Sequence, residues 1–158
     1  MVIQSNFIHD IVVNFRNALP TPPQLCEAKD DAYSMEDYAN EEWQKVYALR
    51  LLPAYYFEYC DLAADLNRRA AGDCKSLNVA SFGCGLCQDY HALSHNLTVP
   101  FSYTGYDAVD WAARAYMPKT KNNFRFINRG VEGLTTSDVQ AMDVFFFPKS
   151  LTDIADNS

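Results

Sequence analysis

The stretch Leu77-Asn-Val-Ala-Ser-Phe-Gly-Cys-Gly-Leu-Cys-Gln-Asp-Tyr-His-Ala-Leu93 constrains this chain more than any other. Leu77 to Phe82 is a short apolar run of the kind that forms a strand buried on both faces of a parallel sheet. Gly83 and Gly85 follow at once, so the backbone can turn sharply and approach a ligand where a Cβ would collide. Helix-like sequence then runs from Leu86 to Leu97. The amides of Leu86, Cys87 and Gln88 are predicted to point out of the new helix towards whatever lies above the strand. Such a strand, turn and helix suit the phosphate or nucleotide side of a ligand site, although a lone G-x-G also fits an ordinary turn.

The segments on either side differ in period. Ahead of the loop, Phe7, Ile8, Ile11, Val12 and Phe15 recur at helical spacing behind a candidate N-cap, Ser5, and Pro20, Pro22 and Pro23 end that helix. Thr21 to Met35 reads as a loop. Asn40 to Leu52 resumes helical spacing through Trp43, Val46, Tyr47, Arg50 and Leu51; Pro53 should kink or restart it. Ala54 to Ala71 continues through Phe57, Cys60, Leu62, Ala64 and Leu66, with Arg68 and Arg69 suited to a helix C-terminus and Gly72 to the position beyond it. Residues 1–75 are thus predicted to form a helical segment. Residues 76–158 alternate: strands at Val79–Phe82, Phe101–Tyr106, Phe124–Ile127 and Val144–Phe147, with helices at Leu86–Leu97 and Trp111–Tyr116 and a helical turn at Ser137–Ala141. Strand alternating with helix is the pattern of a parallel α/β sheet.

Composition enters as a filter on function. A chain of 158 residues, 49% hydrophobic and 21% charged, can bury a core of its own. A net charge of −7 argues against a broad nucleic-acid footprint. No run has the length of a membrane span, and Met1 to Leu19 lacks the apolar region of a signal peptide. The five cysteines are odd in number, and two fall in the glycine turn, so a reducing cytoplasm is the expected compartment.

In an open α/β sheet, ligands bind beyond the carboxyl ends of the strands. Those ends here carry Gly83-Cys-Gly85, Asp107, Gly130-Val131-Glu132 and Phe147-Pro148. Asp107 follows the glycine loop by about 20 residues, the separation of an acid that accepts hydrogen bonds from a ribose diol. The plain alternative makes Asp107 a helix cap and the glycines a simple turn.

With these motifs in order, the sequence resembles the class I S-adenosylmethionine-dependent methyltransferases from about Ser76 onward. Val79-Ala-Ser-Phe-Gly-Cys-Gly85 resembles the family's first motif, Tyr103-Thr-Gly-Tyr-Asp107 its second, Phe124-Arg-Phe-Ile-Asn-Arg-Gly-Val-Glu132 its third, and Met142-Asp-Val-Phe-Phe-Phe-Pro148 its fourth strand. The resemblance implies a Rossmann-like parallel sheet, represented by its first four strands, behind a helical segment that covers the cofactor. It implies S-adenosylmethionine over Ser81, Phe82, Gly83, Cys84 and Gly85, the ribose on Asp107 and Ala108, the adenine near Val131 and Glu132, and the methyl group near Phe147. Ser81 stands where the family has an acid, Cys87 where it has a third glycine, and Gly130 where an acid commonly reaches the adenine. The family's sheet has seven strands and this sequence stops after the fourth. A longer protein, a protein partner or the chain's own helices are therefore expected to complete the layer.

The resemblance implies methyl transfer to an acceptor, with a small molecule expected. A fold-retaining interaction protein without activity is the alternative, motivated by Ser81 and Gly130. A dinucleotide oxidoreductase is disfavoured because G-x-G-x-x-G lacks its last glycine. Cys84, Cys87, His91 and His95 spell a candidate zinc set, but the dozen or so residues between the ligand pairs of familiar fingers are missing. The histidines are read instead as helix-surface or pocket-rim residues. Tyr33, Tyr38 and Arg50 are smaller candidates for the cofactor side, and Lys149 or Ser150 for an acceptor contact; Pro148 and Ser150 also read as a strand stop and helix cap.

Overall fold

The computed structural model describes residues 1–20, 34–70, 72, 74–148 and 150. Tyr33, Lys149 and the loop from Thr21 to Tyr33 lie outside them. The fold is mixed α/β. Helices α1 (Ser5–Asn17), α2 (Met35–Ala39), α3 (Glu41–Arg50) and α4 (Leu52–Ala70) precede β1 (Leu77–Phe82), α5 (Gln88–Asn96), β2 (Phe101–Asp107), β3 (Phe124–Asn128), α6 (Thr136–Val139) and β4 (Val144–Phe146). The strands form one parallel sheet in the order β3-β2-β1-β4. The chain steps outward from β1 to β3 and then returns to the other side of β1, so the strand order reverses between β1 and β4. That reversal opens the crevice beyond the strand ends where ligands of such sheets bind.

The alternating side chains of each strand sort the sheet into two faces. Leu77, Val79 and Tyr103 pack beneath α5 and α4 with Phe124, Phe126, Val144 and Phe146. Ala80, Phe82 and Tyr106 lie on the opposite face, partly covered by Ile127, Val131, Leu134, Val139 and Met142 from the segment around α6. A third cluster joins the helical segment to the sheet: Phe7, Ile11 and Phe15 of α1 meet Leu52, Tyr56 and Cys60 of α4, Ala92 of α5 and Trp111.

Several boundaries moved for identifiable reasons. Ser5 is the first residue of α1 rather than its cap, which is Gln4 without a side-chain bond. Residues 35–39, read as the end of a loop and its junction, form the short helix α2, held by a capping box in which Ser34 and Asp37 satisfy each other's backbone amides. Pro53 restarts the helix: α3 ends at Arg50, and the proline falls in the first turn of α4, where its missing N–H has no partner to lose. The face of α4 also differs from the expected one. Phe57 and Leu62 are exposed, whereas Tyr56, Tyr59, Cys60 and Ala63 are buried. Trp111–Tyr116 is a 3₁₀ segment, Ala112–Tyr116, in place of an α-helix.

Candidate functional site

The glycine loop is built by three left-handed residues. Gly83, Gly85 and Cys87 have φ of 66°, 52° and 57°. The first two positions suit glycine, which has no Cβ to clash; Cys87 adopts the same conformation with one, at a steric cost of order 1 kcal/mol. A non-glycine residue thus holds the third left-handed position of the loop. Because the Cys87 amide donates to the Cys84 carbonyl at 2.7 Å, α5 starts at Gln88, later than the Leu86 start expected.

Asp107 closes the loop from β2. Its carboxylate accepts from the Gly85 amide at 2.8 Å and from the Val109 amide at 2.9 Å. Burial raises its pKa, and those two amides pull it back. Each oxygen keeps a further lone pair. The two sequence motifs thus meet through one hydrogen bond, which spacing alone did not specify.

Above the loop the chain supplies its own contacts. The Trp111 indole lies 3.4 Å from where a Cβ on Gly85 would stand, and Ser150 occupies that place at Gly83 while its hydroxyl donates to the Phe82 carbonyl. The close approach that the glycines permit is used here by Trp111 and Ser150. Tyr38 and Tyr47 pack against Trp111 with tilted rings, their centroids 5.7 and 5.3 Å away. The row continues from Tyr47 to Tyr55 and from Tyr55 to Tyr59, each step 6.4 Å. Burial raises the pKa of the Tyr47 hydroxyl, with Tyr55, Tyr59, Tyr38 and Asp107 adding to it, so this row runs over the Asp107 end of the loop.

The remaining candidates separate. Ser81, Phe82 and Cys84 are buried, whereas Ala108 is exposed. Val131 packs with the cluster on the far sheet face, and Glu132 is exposed. The Glu132 carboxylate fills the space a side chain at Gly130 would take, so an acid stands beside position 130 although none is encoded there. Phe147 is 43% exposed, with its ring 5.2 Å from that of Phe82. Of the two histidines expected at the helix surface or a pocket rim, His91 is buried against Phe7 with ring centroids 4.8 Å apart yet lines a pocket with Leu86, Cys87 and Arg114, and half-buried His95 pairs through Nδ1 with the Tyr56 hydroxyl at 2.7 Å. Cys84 and Cys87 place their sulfurs 3.5 Å apart as free thiols.

Three polar residues, Gln44, Gln88 and Asp89, escaped the sequence reading. Gln44, fully buried on α3, donates to the carbonyls of Tyr38 at 2.7 Å and Asp110 at 3.2 Å and accepts from the Ala113 amide at 3.0 Å. It ties the helical segment to the turn that carries Trp111. Asp89, fully buried on α5, accepts from the Tyr103 hydroxyl at 3.0 Å, and burial pushes its pKa up to about 6. Gln88 and Tyr59 are buried beside each other. The only available signal was a polar residue at a helical position facing the apolar side, and α3 has no apolar stripe to define that side.

Among the described residues, the buried side-chain polar atoms without a hydrogen-bond partner are Tyr59 Oη, Ser81 Oγ, Gln88 Oε1 and Trp111 Nε1. All four border the glycine loop. They face one another and the two buried carboxylates: Tyr59 stands beside Gln88, Ser81 beside Asp89 and Tyr103, and Trp111 beside Asp107.

No helix among the described residues is long and apolar enough to cross a membrane. Among solved structures, the chain is similar to the plantazolicin methyltransferase BpumL in complex with SAH, at 14% identity and a TM-score of 0.48, over 90% of this chain and 47% of that one. It spans about half the length of that protein. No family model and no curated protein matches it.

Proposed function

We propose that this chain binds S-adenosylmethionine as the cofactor-side portion of a methyltransferase-like protein of the cytoplasm, acting on a small-molecule acceptor. One observation carries the reading: the carboxylate at the end of β2 accepts from the Gly85 amide at 2.8 Å, which joins the acid to the glycine loop. Asp107 would take the ribose hydroxyls on its remaining lone pairs, and Glu132 would accept from an adenine amino group. Bound there, the sulfonium would supply an activated methyl group. What the protein contributes to such a displacement is positioning and exclusion of water, which the buried loop and aromatic row suit. The net charge of −7 favours a small acceptor over a nucleic acid.

Calorimetric titration with S-adenosylmethionine and S-adenosylhomocysteine tests this. The intact chain is expected to bind both and Asp107→Asn at least tenfold more weakly, as for loss of a charge-assisted hydrogen bond of about 1.5–3 kcal/mol. Preference for NAD would point to the oxidoreductase reading. Absence of binding would favour the second reading, an interaction protein. That alternative is supported by the exposed Phe145 and Phe147 and by a β4 that pairs with β1 alone among the described strands.

A further inference from the structure

We propose that the cavity between α5 and the segment joining β2 to β3 binds a small organic carboxylate, its apolar body on Leu86, Met117, Pro118 and Phe124 and its carboxylate facing Arg114, Lys119 and His91. The site is separate from the crevice at the strand ends, and the inference holds whether or not S-adenosylmethionine binds there.

The cavity follows from a short crossover. Parallel strands are usually joined through a helix that packs along the sheet. Here β2 and β3 are joined by the five-residue 3₁₀ turn Ala112–Tyr116 and then by non-helical chain as far as Phe124. A space of about 350 Å³ stays open beside α5, walled by Leu86, Met117, Pro118 and Phe124. That is the size of a small-molecule site. Phe124 begins β3 opposite Tyr103, so the cavity reaches towards the start of the strands, whereas Asp107 and Asn128 pair at their far end.

The lining carries one sign of charge. Arg114 and Lys119 are its ionised side chains, and no carboxylate lines it among the described residues. The same sign extends around it: Arg114, Lys119, Lys121, Arg125 and Arg129 fall between Ala112 and Val131 with no acid among them, in a chain of net charge −7. Such a local field attracts an anion. The Arg114 guanidinium lies 3.2 Å from the centre of the Phe126 ring, which fixes its plane. It donates to the Trp111 carbonyl at 3.1 Å and to Asp110 at 3.2 Å, and three of its five N–H groups are left over.

His91 supplies the buried polar contact. It lines the cavity, is 5% exposed, packs on Phe7, and makes no side-chain hydrogen bond among the described residues. Burial, and then His95, lower its pKa to about 3, so the ring is neutral and offers one N–H. A carboxylate oxygen accepts that hydrogen and is drawn to Arg114 and Lys119, whereas a cation is repelled by both. A bare anion would leave the apolar walls uncovered, so the fitting ligand has a hydrophobic body as well.

Calorimetric titration of the full chain with 2-naphthoate and with 2-naphthamide, the same body without the charge, tests the site. The native chain is expected to prefer naphthoate about tenfold or more. Arg114→Met and His91→Leu are each expected to remove most of that preference. Lys119→Glu, at the exposed rim, should reduce it about threefold at low salt and less at high salt, and it should leave the melting temperature unchanged. Naphthoate should also move the His91 ring proton resonances. No preference for the carboxylate in the native chain, a preference that Lys119→Glu and His91→Leu both leave intact, or unmoved His91 resonances overturns the assignment. Displacement of naphthoate by an equal concentration of inorganic phosphate overturns it too, because the apolar walls would then have no part.

Discussion

At the scale of single residues, the molecule buries ionisable groups whose protonation is coupled to folding. Burial pushes the Asp89 carboxyl from 3.8 up to about 6 and, with help from His95, lowers His91 from 6.5 to about 3. The signs oppose. Asp89 holds its proton more tightly in the folded chain, so its contribution is full below about pH 4 and falls by about 3 kcal/mol as pH rises to about 6. His91 holds its proton less tightly in the folded chain, so its contribution is full above about pH 6.5 and is lost as pH falls towards 3. Between about pH 4 and 6 the two slopes cancel, each being about 1.4 kcal/mol per pH unit. Asp107, also raised by burial, adds to the Asp89 side, and His95, lowered by burial, adds to the His91 side. Urea unfolding across this range is expected to show a nearly flat profile for the native chain. Asp89→Asn, which keeps an acceptor for Tyr103, should make stability rise with pH, and His91→Leu should make it fall. Profiles that stay flat in both variants would show that neither group titrates as its burial requires.

At the scale of elements, α3 shows why a helix can be indispensable without an apolar face. Its buried residues are Gln44, Lys45 and Ala48. Lys45 pairs with Glu41 at 2.8 Å and lies 5.0 Å from the Tyr116 ring centre, while Gln44 fastens Tyr38, Asp110 and Ala113. The segment after β2 has only a 3₁₀ turn to hold its shape, so Gln44 fixes the stretch that seats Trp111 on Gly85. Gln44→Leu keeps the volume but leaves two carbonyls and one amide unpaired. A loss of about 2–4 kcal/mol is expected, together with faster hydrogen exchange at the Ala113 amide and a shift in Trp111 fluorescence. An unchanged exchange rate at Ala113 would mean that the aromatic row, not Gln44, holds the turn. Trp43 contributes a second signal, so the fluorescence is best read in a Trp43→Phe background.

At the scale of the whole molecule, the sheet and the meeting of the glycine loop with Asp107 were legible because apolar runs, glycines and an acid at about 20 residues obey spacing rules that any parallel sheet imposes. The covering layer was not. Which side of α4 faces inward depends on α5 and α1, so Tyr59 rather than Phe57 is buried, and no local period could select between them. Burial of Asp89 is equally invisible in sequence, since it depends on Tyr103 arriving from the next strand. Among the described strands, β3 and β4 each pair on one side only. β4 pairs with β1 alone among the described strands, and Phe145, stacked 6.1 Å from Phe82, is 47% exposed. An unpaired strand beside exposed aromatic rings is a template for another strand. Sedimentation over a rising concentration series is therefore expected to show self-association of this chain. Phe145→Lys, which adds charge at the edge, should hold it monomeric. If the native chain stays monomeric throughout, packing of Phe145 and Phe147 on Phe82 is enough to protect the edge, and the interaction-protein reading loses the surface that supports it.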